Sequence, residues 1–200
     1  EHSQLIPADE AALRQAVAVL RNDGIVAVPT ETVYGLAARA DSPTAVAAIY
    51  RAKGRPDFNP LIVHVPTVEA ARILAEFDGR ATALARAFWP GALTMVLPLR
   101  RDAPIAPAVT AGLPTIALRC PAHPVMRALL VESGLALAAP SANRSGGVSP
   151  TTAEHVALSL GGAAPLILDG GQCEAGIEST IPPNSGFLRF ASALQRRAAL

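Results

Sequence analysis

Apolar residues in this chain come in short runs, and the runs end in proline, glycine or charge. That pattern suits strands buried inside a fold, and no run approaches the ~18 residues that a membrane-spanning helix needs. Runs at 25–28, 61–65, 93–97, 116–118, 135–138, 166–168 and 177–181 read as strands. Between them lie segments with helical periodicity. Residues 9–22 place Leu13, Ala16, Val17 and Leu20 on one face, with Asp9 as N-cap and Asn22-Asp23-Gly24 as the stop. Pro43 opens a second helix that runs to about Ala52, at a position where its missing N–H costs nothing. Residues 68–77, 80–88 and 124–132 read as further helices, and Thr151-Thr152-Ala153-Glu154 fits a capping box for a last one. The alternation predicts an α/β fold, a single domain with a twisted sheet flanked by helices. Residues 98–114 are proline-rich, the longest irregular stretch, and a candidate flap. With no internal repeat and no linker, residues 1–200 read as one domain.

Composition narrows the class. Two hundred residues suffice for one full core. Apolar residues make up 50% but aromatics only 4%, so the core is expected to be Ala, Val, Leu and Ile. A net charge of +1 gives no global field for a nucleic-acid backbone, so a cationic site must be local. Cys120 and Cys173 are too few for a disulfide framework or a zinc site and are expected to be buried thiols. Glu1-His2-Ser3-Gln4 leads into a helix pattern without an apolar leader, so a cytoplasmic protein with no membrane contact is expected, although the sequence starts without Met.

Most of the polar clusters directly follow or sit in apolar strands, and in open α/β sheets such strand ends line the ligand crevice. Phosphate loops, dinucleotide-binding glycine motifs, zinc motifs and nucleophile elbows are all missing, and Glu31, Asp41, Asp57 and Glu178 form no obvious acid–base pair. The chain has sixteen arginines and one lysine, and that lysine sits in Ala52-Lys53-Gly54-Arg55-Pro56. A compact ammonium is not interchangeable with a guanidinium, so Lys53 marks a candidate site. With Arg55 and Asn59 it suits a phosphate or carboxylate; the plainer reading is a solvated helix C-terminus. Thr30-Glu31-Thr32, with Tyr34, is a second candidate cluster; for such a segment an ordinary strand-to-helix turn with hydroxyl caps is the commoner reading. His64 lies mid-strand, where a lone histidine is more often packing than ligand. Thr115 and Arg119 share a strand face, and a buried Arg119 needs an anionic partner from the fold or from a ligand. Ser141, Asn143, Ser145, Gly146, Gly147 and Ser149 form either a plain loop or an anion cradle. Ser179 and Thr180 read as strand hydroxyls, and His2, His123 and His155 as surface or capping residues.

As an ordered set these motifs resemble the YrdC-like family of threonylcarbamoyl-AMP synthases. The residues that carry the resemblance are Pro29-Thr30-Glu31-Thr32-Val33-Tyr34-Gly35-Leu36, then Lys53-Gly54-Arg55-Pro56 with Asn59-Pro60-Leu61 and His64. Trp89-Pro90-Gly91-Ala92-Leu93-Thr94, Arg119-Cys120-Pro121, Ser141-Ala142-Asn143 and Ser179-Thr180 follow in the family's order, over roughly residues 9–181. The resemblance implies a twisted α/β sheet around a large, positively lined cavity. It implies a nucleotidyltransferase that condenses L-threonine, bicarbonate or CO₂, and ATP into threonylcarbamoyl-AMP and pyrophosphate. A transfer complex would then place the group on adenosine 37 of tRNAs reading ANN codons, and direct contact with tRNA is a further implied partner. ATP would be bound by Lys53, Arg55, Asn59, Thr115, Ser141, Asn143 and Ser149, with Lys53 and Arg55 as the catalytic cations. Threonine would be held by Thr32, His64, Arg119, Ala139 and Ser179. Mg²⁺ would come with ATP, bridged mainly by phosphates, with no metal site built by the protein. The family segment Leu-Arg-Pro-Gly, whose Arg contacts nucleotide, corresponds to Leu188-Arg189-Phe190-Ala191, which lacks the Pro-Gly. The motif-bearing core thus covers about 9–190, with an atypical tail at 191–200. The chain resembles the short, single-domain branch or a truncated long form.

Two rival readings stay open. One is a non-catalytic module for double-stranded RNA or tRNA, against which near-neutral charge and few aromatics count. The other is the same domain cut from a carbamoyltransferase that uses carbamoyl phosphate. His64 with Arg119 fits an amino-acid subsite better.

Overall fold

The computed structural model describes residues 3–54 and 59–181. The strands are β1 (Gln4–Pro7), β2 (Val26–Pro29), β3 (Tyr34–Arg39), β4 (Ile62–His64), β5 (Thr94–Pro98), β6 (Thr115–Arg119), β7 (Leu137–Ala138) and β8 (Leu166–Asp169). They form one mixed sheet in the order β1-β8-β2-β3-β7-β4-β6-β5. Strand β8 slots in parallel between β1 and β2, and β4 runs parallel to β6. The other neighbours are antiparallel. The helices are α1 (Glu10–Arg21), α2 (Pro43–Lys53), α3 (Val68–Leu74), α4 (Gly79–Phe88), α5 (Pro107–Thr110), α6 (Pro124–Ser133) and α7 (Ala153–Leu160). Local chemistry starts them: Asp9, Ser42, Thr67 and Asp78 each accept a bond from a first-turn N–H, and Pro43 and Pro124 open α2 and α6.

Alternation along the strands builds two layers. Val26 and Val28 of β2, Ala37 of β3 and Leu166 and Leu168 of β8 pack with α1 and α6. Their neighbours Ala27, Leu36, Ala38 and Ile167 face the other way and pack with α2 and α7. Full burial of a leucine such as Leu20 or Leu118 stabilises by roughly 1.5–3 kcal/mol. Beyond β7 the second layer continues through Val63, Met95, Leu97, Ile116 and Leu118. The α1–α6 layer takes no residue from β4, β5 or β6. On that half of the sheet the opposite face carries only a small apolar cluster around Val96 and Ala117. His64 and Arg119 project from the same face, which leaves room for a site.

Several expectations are revised. Strand β3 was not anticipated; it pairs antiparallel with β2, so Thr30-Glu31-Thr32 is a hairpin tip and not a strand-to-helix turn. Strand β1 is also additional. Residues 177–181 make a single bridge, Leu93 to Thr180, in place of a strand. Helix α3 stops at Leu74 because Ala75 turns extended and bridges to Leu99. The cap of α7 is Thr152, whose side chain accepts from His155 N–H, one residue later than the capping box. Residues 98–114 are not a free flap. They contain α5, Leu61 N–H donates to Val109 O (2.8 Å) and Ala106 N–H donates to Ala40 O (2.8 Å). Both cysteines are buried free thiols, and His123 caps α6 as expected. Among the described residues no helix is long and apolar enough to cross a membrane.

Candidate active site

The tip of the β2–β3 hairpin is organised by hydroxyls. Thr30 Oγ1 accepts from the N–H groups of Thr32 and Val33 (both 3.2 Å) and donates to Val33 O (2.7 Å). The Thr32 hydroxyl shares a 2.9 Å hydrogen bond with Thr30 Oγ1. Thr32 Oγ1 also accepts from Arg119, at 2.8 Å.

His64 and Arg119 are opposite each other in the parallel β4–β6 register. Both side chains are buried. Arg119 reaches the Gly91 carbonyl (3.3 Å), Thr32 and the Glu31 carboxylate. Burial pulls its pKa down to about 10, so it stays a cation at neutral pH. Burial likewise pushes His64 down to about 4, so it is a neutral imidazole, and its Nδ1 has no hydrogen-bond partner among the described residues.

Lys53 closes α2, where Gly54 adopts the left-handed cap conformation (φ 62°). Its buried ammonium donates to the carbonyls of Ser141 and Asn143, the latter at 2.7 Å. Ser145 N–H returns a bond to Lys53 O (3.0 Å). Asn143 braces the same loop by donating to Arg144 O (2.8 Å) and Gly147 O (2.7 Å), and its buried Oδ1 has no partner among the described residues. Gly35 bridges to Ser141, and a Cβ there would stand 3.3 Å from that of Ala139, so glycine permits this close approach. The segment after β8 completes the wall. Ser149 donates to Glu178 (2.8 Å), and Ser179 shares a 2.6 Å hydroxyl bond with buried Thr94.

A cavity of about 170 Å³ gathers Thr32, His64, Arg119, Ala139, Ser141 and Ser179. Of the charged groups on its described lining, Arg119 is cationic and Glu178 anionic. Lys53 and Asn143 stand behind the Ser141 wall, and Ser149 beside Glu178. Asn59 is buried, and its carbonyl accepts the Tyr50 hydroxyl (2.7 Å). Thr115 sits at the other end of β6 from Arg119, outside the lining. Arg55 and Arg189 lie outside the described residues. Sequence reasoning missed Glu31, Glu178 and Thr94 as members of the site. Their partners lie 29 to 88 residues away along the chain, so no local spacing could reveal them.

A model of the Sua5/yciO/yrdC family, whose description reads "Telomere recombination", matches residues 18–185. The chain belongs to the Sua5/YciO/YrdC family. A Bacillus subtilis member named threonylcarbamoyl-AMP synthase is 52% identical over 174 residues, which is 86% of this chain and 50% of that protein. The structure of P. abyssi Sua5 complexed with L-threonine superposes with a TM-score of 0.86 at 44% identity, covering 90% of this chain and 54% of that one. E. coli YciO, at 21% identity and a TM-score of 0.75, shares the fold. This chain spans about half the length of the curated relatives it matches.

Proposed function

We propose that this chain carries the domain that condenses L-threonine, bicarbonate or CO₂, and ATP into threonylcarbamoyl-AMP and pyrophosphate. The observation that carries the reading is the Arg119–His64 pair on adjacent strands, facing a cavity with the Thr32 and Ser179 hydroxyls. Such a set fits an amino acid: a cation for its carboxylate and neutral polar groups for the rest. The relative solved with L-threonine and the synthase names of the Bacillus and archaeal relatives support the same assignment.

In this reading Arg119 binds the substrate carboxylate, and Thr32 and Ser179 orient the molecule so that its amine points towards Ser141. The amine adds to CO₂ with release of a proton, or condenses with bicarbonate with release of water, to give a carbamate; a carbamate oxygen then attacks the α-phosphorus of ATP as the bond to pyrophosphate breaks. Little covalent chemistry falls to the protein, so positioning and charge neutralisation dominate. Lys53 does both: it offsets phosphate charge and holds the loop that presents Ser141 and Asn143, with Arg55 beside it in sequence and Ser149 at the far end. Asn59, Thr115 and Arg189 complete the proposed nucleotide set. Among the described residues no cluster of three His, Cys, Asp or Glu side chains could hold a metal. Hydroxyls and a lysine suit phosphates, so Mg²⁺ would arrive on the nucleotide and supply charge there. The product would pass to a complex that modifies tRNA position 37.

Pyrophosphate release from ATP and bicarbonate, with and without L-threonine and with L-serine as control, tests this reading. Threonine-dependent release is the expected result. Salt-sensitive RNA binding with no use of ATP would overturn it in favour of an RNA-binding module.

A further inference from the structure

Arg119 is gripped by groups that the proposed reaction does not consume. Its Nε donates to the Gly91 carbonyl (3.3 Å), one terminal nitrogen donates to Thr32 Oγ1 (2.8 Å), and the other donates to Glu31 Oε1. The second oxygen of Glu31 accepts from Ala122 N–H, just beyond β6. One carboxylate thus ties the hairpin tip to the chain leaving β6, with the guanidinium between them. The Arg119 side chain is 4% exposed and that of Glu31 18%, so this is a largely buried pair. Glu31 is absent from the cavity lining, whereas its neighbours Thr30 and Thr32 belong to it. It therefore holds Arg119 from behind. A guanidinium binds a carboxylate well only when its planar fork is presented in the right direction, and the carboxylate contact is the charged member of its three restraints.

We infer that Glu31 is a positioning residue, which fixes the plane of Arg119 so that its free N–H groups meet the carboxylate of the amino-acid substrate. The inference rests on the amino-acid reading of the cavity given above. Both oxygens of Glu31 are used, and this makes the role demanding. Aspartate is one methylene shorter and cannot span Arg119 and Ala122 together. Glutamine can offer its oxygen to Arg119 but then turns an NH₂ towards the Ala122 N–H. A contact serving charge alone would tolerate aspartate, and a contact serving folding alone would leave threonine affinity untouched.

The test uses the full chain with Glu31→Gln and Glu31→Asp, checked for folding by thermal melts. L-threonine binding by calorimetry, threonine KM and ATP KM are then measured. Threonine Kd and KM should rise roughly ten- to hundredfold in both variants, as expected for a misdirected hydrogen bond to a charged group. The ATP KM, and kcat at saturating threonine, should stay within about twofold. Native-like threonine binding by either folded variant overturns the inference, as does a parallel rise in both KM values. So does loss of folding in both variants, which would make Glu31 a structural residue. If the unaltered chain neither binds nor consumes threonine, the amino-acid reading has failed and Glu31's role falls with it, an outcome visible before any variant is made.

Discussion

His64 should make the fold acid-sensitive in a way that can be isolated. In the unfolded chain its pKa is near 6.5, whereas in the fold burial pushes it down to about 4. Above pH 6.5 the imidazole is neutral in both states and its contribution to stability is complete. As the pH falls below 6.5 the unfolded chain takes up a proton that the buried imidazole refuses, so stability is lost progressively until the pH approaches 4. At about 1.4 kcal/mol per pKa unit, the loss reaches ~2 kcal/mol at pH 5 and ~3 kcal/mol at pH 4. His64→Asn removes the titration while keeping a small polar group. Urea unfolding of native and variant chains at pH 7, 6 and 5 is the assay, and the difference between them cancels the other histidines. With an m-value of about 2 kcal/mol/M, the native midpoint should drop by roughly 1 M more than that of the variant between pH 7 and 5. Equal drops would refute the reasoning, because His64 would then ionise freely in the fold. The same neutral state means that threonine affinity carries no His64 titration near pH 6.5.

Other outcomes follow from particular contacts. Lys53→Met keeps the apolar stem but strands the Ser141 and Asn143 carbonyls, so it should cost roughly 2 kcal/mol by denaturant unfolding and raise ATP KM more than threonine KM. Gly91→Ala would bring a Cβ within 2.5 Å of the Phe88 carbonyl oxygen, where backbone must shift; a loss of ~1–3 kcal/mol in a melt is expected. Thr94→Val retains the volume of a fully buried side chain but removes the partner of Ser179, and threonine KM should rise several-fold with ATP KM unchanged.

Elements with their own chemistry were legible in the sequence. Asp9, Pro43 and Pro124 mark helix starts, and the Val-rich run at β2 reads as a strand without help from its neighbours. Strand β3 was hidden because Tyr34-Gly35-Leu36-Ala37-Ala38-Arg39 has little β-branched character and is buried on both faces, so it shows neither propensity nor alternation. The cavity residues Thr32, His64, Arg119, Ser141 and Ser179 were legible only as an ordered set of motifs. Lys53 was read from its rarity as a phosphate ligand. That its ammonium also holds two backbone carbonyls depends on a loop some ninety residues downstream, which only the fold brings near. Glu31 was passed over for the same reason, since Arg119 lies 88 residues away along the chain.

The position of β8 has a consequence for how the chain is made. Strand β2 precedes β8 in the chain, so one of its two edges is completed only when β8 has emerged, and β1 has no other partner in the sheet. Until then Val26, Ala27 and Val28 present an unpaired, wholly apolar edge, the kind of surface that templates aggregation. The nascent chain therefore cannot finish its first layer until β8 has been made, and slow, non-local closure of this kind favours capture by chaperones over folding on the fly. A released fragment ending before Leu166 should be protease-sensitive throughout α1 and β2, and a released fragment extended past Asp169 should protect both in one step.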